Sequence, residues 1–168
     1  MTADALTRRE GGAAVVGRPR ALETIRDGGL AVGVWDGLVA LVYYGWVLGV
    51  RTLRIFQSVA AGLLGAAAFE GGARTFALGV ALHFVVATCI AAVYYLLSLK
   101  LPVLVRRPVV CGLVYGLVAY LVMNYVVVPL SAIGPRPFSF KSFLPAFVAH
   151  ALLVGLPVAL IARRSARG

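Results

Sequence analysis

Four side chains in this sequence have the types needed for proton, cation or cofactor chemistry, and each stands inside an apolar run: Asp36, His83, Asn124 and His150. An ionisable group in such a run is expensive to place in a membrane, so each is a functional candidate by default. Asp36 stands about eight residues into its helix from the cytoplasmic side. At about 100° per residue it shares a face with Gly29 and Tyr43. It therefore points into a helix contact, where it either bonds a neighbour or handles a proton or cation. His83 and His150 each stand about eight residues into their helices from the outer side. Both then lie ~12 Å below that surface, and Asn124, on the helix between them, falls close to the same layer.

Three polar groups at one depth on three helices admit three readings. A hydrogen-bonded layer would fix helix register. A path for a solute or proton would use the same groups. Opposed imidazoles in a four-helix bundle are also one way to hold haem b. A metal site is not expected, because no carboxylate or Cys falls near that layer. Glu70 and Arg74, four residues apart, are expected to pair at the outer interface for about 0.2–0.5 kcal/mol. No nucleophile–base pair or metal-ligand motif appears, so no enzyme is expected and no catalytic residue is assigned. Cys89 and Cys111 read as small buried hydrophobes, separated in depth by roughly 9 Å and so beyond disulfide reach.

The elements that must carry these groups are membrane helices. Of 168 residues, 61% are hydrophobic and 13% charged, against about 25% charged in a soluble domain. Long apolar runs predict spans over residues 28–50, 75–98, 109–128 and 143–162, each matched to a ~30 Å hydrocarbon core. Residues 51–69 have an uncharged part of only about 15 residues, short for a crossing, and read as a re-entrant or interfacial helix with Arg51 and Arg54 at the headgroups. Pro108 opens the third span and Pro129 closes it, and Pro157 should kink the fourth. The fold class is thus all-α, a polytopic membrane protein with four transmembrane helices plus that short helix. Residues 1–27 form a disordered basic tail with a short helix near 20–27, residues 28–164 the membrane domain, and residues 165–168 a C-terminal tail. The N-terminus lacks the form of a signal peptide.

The net charge of +10 sits beside the apolar runs, where it sets topology and meets lipid headgroups rather than nucleic acid. With the N-terminus inside, eleven of the 16 Lys and Arg residues are cytoplasmic and five are outside. That bias predicts both termini in the cytoplasm, and a fifth crossing would spoil it. Gly29, Gly33 and Gly37 make a four-residue ladder, as do Gly112 and Gly116. Small residues at this spacing let helices approach closely, within the bundle or against a second copy or membrane partner.

Several strings carry a resemblance. They are Phe56-Gln57-Ser58, Gly62-Leu63-Leu64-Gly65, Glu70-Gly71-Gly72, Leu82-His83-Phe84, Val122-Met123-Asn124 and Pro129-Leu130-Ser131, then His150 and Gly155-Leu156-Pro157. Over residues 30–164 they resemble an uncharacterised group of small bacterial four-helix inner-membrane proteins. More distantly, the chain is similar to the YagU-like inner-membrane proteins, which share the order of a helical His, a Pro-Leu turn and a second helical His before a basic exit. The resemblance implies a bacterial inner-membrane protein and supplies no activity or cofactor. The expected function is a non-enzymatic accessory or oligomeric membrane component. The rivals are small-solute or ion permeation through Asp36 and the His83–Asn124–His150 layer, and a bis-His haem b electron carrier.

Overall fold

The computed structural model describes residues 18–135 and 137–167, which are helical throughout apart from short connections. The expected basic tail up to residue 17, Arg136 and the last residue lie outside the described residues. Helix α1 (Arg18–Ala40) continues as a π-helical turn, Leu41–Val47. α2 (Thr52–Leu64) ends in a 3₁₀ turn, Gly65–Phe69. α3 spans Gly72–Lys100 and the short α4 spans Val103–Arg106. α5 (Pro108–Val122), a π turn (Met123–Val127) and α6 (Val128–Leu130) make a third rod. α7 (Phe140–Ala149), a π turn (His150–Gly155) and α8 (Leu156–Arg167) make a fourth.

Among the described residues five helices are long and apolar enough to cross a membrane, Thr52–Phe69 being the shortest at 18 residues. Their outward faces are apolar as well: Leu30, Val34 and Leu38 on α1, Val85, Val93 and Leu96 on α3, and Val114, Val118 and Leu121 on α5 are all exposed. A water-soluble bundle carries polar residues on that face, so hydrocarbon is the solvent these helices fit.

Glycine dictates how the rods approach. A side chain at Gly29 would strike Thr88, and one at Gly33 would strike Phe84, while Gly28 faces Ala91 and Gly37 faces His83. Numbers rise along α1 as they fall along α3, so the two run antiparallel, and the segment between them leaves and returns at one end of the bundle. That end, with Val47, Gly72 and the 131–139 connection, is here the loop end; the opposite end, with Arg20, Lys100 and Arg164, is the basic end. The second ladder works the same way. Gly112 meets Ala159 and Leu156, and Gly116 meets Ala151, so α5 packs antiparallel on the fourth rod. Both glycine ladders are thus occupied by this chain's own helices.

α2 does not run as one straight rod with its 3₁₀ turn. Residues 54 and 69 would be ~22 Å apart along a continuous helix, yet the Arg54 guanidinium carbon lies 5.6 Å from the Phe69 ring centroid. The chain reverses at Gly65, whose φ of +63° suits glycine. The resulting hairpin packs its Ala60, Ala61 and Ala68 face with Leu78 and Ile133. Gln57, 1% exposed, donates from Nε2 to Gly72 O and Thr75 Oγ1, both at 3.1 Å. α2 therefore lies along the loop-end half of α3, where residues 51–69 were expected to re-enter.

The basic half holds the main core, Val32, Ala87, Ala91, Tyr94, Val154, Val158 and Ala159. Tyr94, fully buried, donates to Leu104 O at 3.1 Å, and Tyr115 donates to Ile90 O at 2.7 Å. Thr24 is 4% exposed; it donates to Arg20 O and receives the Ser165 hydroxyl, tying α1 to α8.

Several expectations need correction. α1 begins at Arg18, so residues 18–27 are its first turns rather than a tail, and the fourth rod stays helical through Arg167. The third rod carries on through Pro129 to Leu130. Among the described residues no ion pair joins Glu70 to Arg74. The i, i+4 rule needs both residues on one helix; α3 starts only at Gly72, whose φ of +57° turns Glu70 off its axis. Cys89 is exposed and Cys111 half-buried, and both are free thiols.

Candidate functional site: a polar cavity in the loop-end half

Asp36, His83, Asn124 and His150 line one cavity of about 200 Å³, walled by Val32, Val86, Ile90 and Val154. The three-helix layer expected from spacing therefore forms, and the two histidines face one space. Asp36 belongs to it too, against the expectation of a separate inner-side group. Counting depth from a span start at residue 28 put Asp36 too near the basic end, because α1 starts ten residues earlier. The glycine contacts set its true level, since Gly37 packs on His83.

Each polar group is fixed by a backbone carbonyl. His83 Nε2 lies 2.9 Å from Gly33 O, which α1 can expose because Gly33 lets α3 approach closely. His150 Nδ1 lies 2.9 Å from Ala146 O, and Asn124 Nδ2 lies 3.0 Å from Tyr120 O. Carbonyl oxygens only accept, so these nitrogens carry the hydrogens. Rings hold the imidazoles edge-on: Phe56 and Phe84 at 5.7 Å from His83, and Tyr120 at 5.1 Å from His150.

Asp36 differs. Its Oδ1 lies 3.9 Å from His150 Nδ1, beyond hydrogen-bond reach, and no Lys or Arg among the described residues pairs with it. Its side chain is 26% exposed. A carboxylate at this depth in hydrocarbon with only an imidazole at ion-pair distance is costly, so it requires a charged His150, water, a proton or a cation at the cavity.

Three neighbouring cavities share these residues and lead toward the loop end. One of about 340 Å³ runs from His150 and Asn124 past Tyr120, Tyr125 and Phe143 to Phe138. A second, of about 400 Å³, runs from Asp36 and His83 past Phe56 to Arg54 and Phe69. A third, of about 130 Å³, lies between α1 and α7 beside Tyr43 and Pro145. Toward the basic end the packed Tyr94–Tyr115 core closes the way, with ring centroids 4.9 Å apart.

Tyr44 borders all three neighbouring cavities, yet spacing alone did not single it out as functional. The signal was weak: it lies eight residues after Asp36, about 80° round an ideal helix. Asn124 and His150 both sit on π turns. Proline accounts for those turns. Pro129 and Pro157 cannot bond the carbonyls of Tyr125 and Leu153 and crowd them, which widens the preceding turn. The kink expected at Pro157 is thus a π turn that re-aims His150.

Haem fits this arrangement poorly. His83 Nε2, the nitrogen an axial ligand would present, is committed to Gly33 O. The space between the imidazoles is about 200 Å³, below the roughly 300 Å³ at which pockets begin to take drug-sized ligands. Among the described residues no three His, Cys, Asp or Glu side chains come together closely enough to hold a metal ion. Comparison with protein-family models, curated proteins and solved structures gives no match.

Proposed function

We propose that this chain is a non-enzymatic integral protein of the bacterial inner membrane that crosses it four times and binds a small polar solute on a permeation route. Both termini lie in the cytoplasm and the loop end faces the periplasm. Four crossings are supported by the antiparallel course of α1 and α3, since a crossing by residues 52–69 would make them parallel. The orientation rests on the basic residues gathered at the end with Arg20, Lys100, Arg107 and Arg164.

The observation that carries the binding reading is Asp36: a carboxylate without a Lys or Arg partner among the described residues, on a cavity shared with His83, Asn124 and His150. A purely structural polar layer, as an accessory component would have, accounts for the three backbone-satisfied groups. It accounts less well for Asp36, whose nearest charge partner among the described residues, His150 Nδ1 at 3.9 Å, is beyond hydrogen-bond reach and already bonded to Ala146 O. The cavity opens at the loop end and is shut below by the tyrosine core, the form of a carrier in one of two states. The π turns at Asn124 and His150 supply wider, softer helix segments at which such a state could change.

Vesicles reconstituted with the protein should re-swell after a hyperosmotic step faster than protein-free vesicles for at least one small solute in a neutral, anionic and cationic panel. Asp36→Leu should abolish the difference. Identical re-swelling with and without protein for every solute defeats the permeation reading.

A further inference from the structure

We propose, resting on that reading, that the solute class is a small cation bearing N–H donors, ammonium or a short primary alkylammonium. The argument is an inventory of what the backbone leaves unused. Gly33 O takes the Nε2 hydrogen of His83, the tautomer that, when the ring is uncharged, keeps a lone pair on Nδ1. Ala146 O takes the Nδ1 hydrogen of His150, leaving a lone pair on Nε2. Tyr120 O takes one amide hydrogen of Asn124, leaving its oxygen and one N–H. Asp36 adds two acceptor oxygens and the negative charge. The residues lining the cavity therefore hold unused acceptors on all four rods and, on Asn124, one remaining N–H donor.

An anion would meet lone pairs and a carboxylate, so the site rejects it. A neutral amide or polyol would leave the Asp36 charge uncompensated. A bare metal ion needs ligands drawn in to about 2.0–2.6 Å, and among the described residues no three His, Cys, Asp or Glu side chains converge to hold one. An ammonium group reaches acceptors at ~2.7–3.2 Å and spreads its donors in several directions, which suits acceptors set apart on α1, α3, the third rod and the fourth. The volume of about 200 Å³ suits a short alkyl part, to which Val32, Val86 and Val154 give apolar contact. Arg54 lies out toward the loop end over Phe69, away from this cavity.

The test uses the full-length protein in detergent, with methylammonium, tetramethylammonium, sodium, urea and acetate as probes at matched ionic strength. Binding to the folded state raises the unfolding temperature by mass action. Methylammonium should raise it, with tetramethylammonium, which has the charge but no N–H, binding at least ~tenfold more weakly and the other three giving no shift. Asp36→Asn, which keeps the shape, should abolish the methylammonium shift. Asn124→Leu, which removes one acceptor and leaves the charge, should weaken it. Equal shifts from methylammonium and tetramethylammonium would overturn the N–H requirement. A shift from urea or acetate with none from methylammonium would overturn the cation assignment while leaving the cavity a binding site. No shift from any probe, together with no solute-dependent re-swelling, would bring down both.

Discussion

Replacing Gly116 with Ala adds one methyl group at the point where the third and fourth rods touch. The added Cβ would press on the His150 carbonyl and sit 2.8 Å from Ala151 Cα, 0.6 Å short of the 3.4 Å at which ordinary contact begins. Both obstacles are backbone, so no side chain can swing away and the rods must part. Overpacking of this kind costs ~1–3 kcal/mol, offset by up to ~1 kcal/mol because Ala is the better helix former. The net is a loss of about 0–3 kcal/mol, or up to roughly 12 °C in unfolding temperature for a chain of this size. Because the displaced residue is His150, the shift should also widen its 3.9 Å separation from Asp36 and weaken solute binding. Gly62→Ala is the internal control. It makes the same chemical change on a helix, but its Cβ would meet only Ser131 at 3.8 Å, so propensity should leave it as stable or slightly more so. Thermal unfolding in one detergent, followed by tryptophan fluorescence, reads both variants. If Gly116→Ala matches the parent while Gly62→Ala falls, the close-approach argument is wrong.

Other consequences are as direct. A periplasm-active reporter should be active when fused after Val50, after Gly72 and after residue 136, and silent after Arg164; opposite signals at Val50 and Gly72 would mean that residues 52–69 cross. His83→Ala should lower the unfolding temperature by removing the Nε2 hydrogen bond to Gly33 O, a loss of about 0.5–1.5 kcal/mol, and the purified parent should lack a Soret band. A stoichiometric Soret peak lost in both His83→Ala and His150→Ala would reinstate the haem reading. Gln57→Leu removes both bonds that hold α2 to the start of α3, so protease cleavage within residues 62–71 should become faster in intact spheroplasts. Unchanged cleavage there would show that the hairpin does not depend on Gln57.

Much of this arrangement was legible because membrane helices obey few rules. The Gly29–Gly33–Gly37 and Gly112–Gly116 ladders marked the faces of closest approach, and equal depth placed His83 and His150 in one layer. The short uncharged stretch of residues 51–69 marked a segment unlike the others. What failed, failed for local reasons. Hydropathy sees where apolar residues begin, not where hydrogen bonding begins, so α1 was started at residue 28 and Asp36 assigned to the wrong half. Glu70 and Arg74 have the right spacing, but a positive φ at Gly72 breaks the helix that spacing presumes. Cys89 has an apolar sequence context, yet in a membrane helix apolar context belongs as much to the lipid face as to the core. The reversal at Gly65 had only a glycine to announce it.

The account depends most on Asp36 facing a space that opens at the loop end rather than lipid or the basic end. Asp36→Cys, made with Cys89 and Cys111 replaced by Ala, tests this by labelling with a membrane-impermeant cationic thiol reagent. Residue 36 should be labelled from the periplasmic face of intact spheroplasts, and not in inside-out vesicles exposing the opposite face. Labelling only from the cytoplasmic face, or only by a lipid-soluble maleimide, would contradict the account.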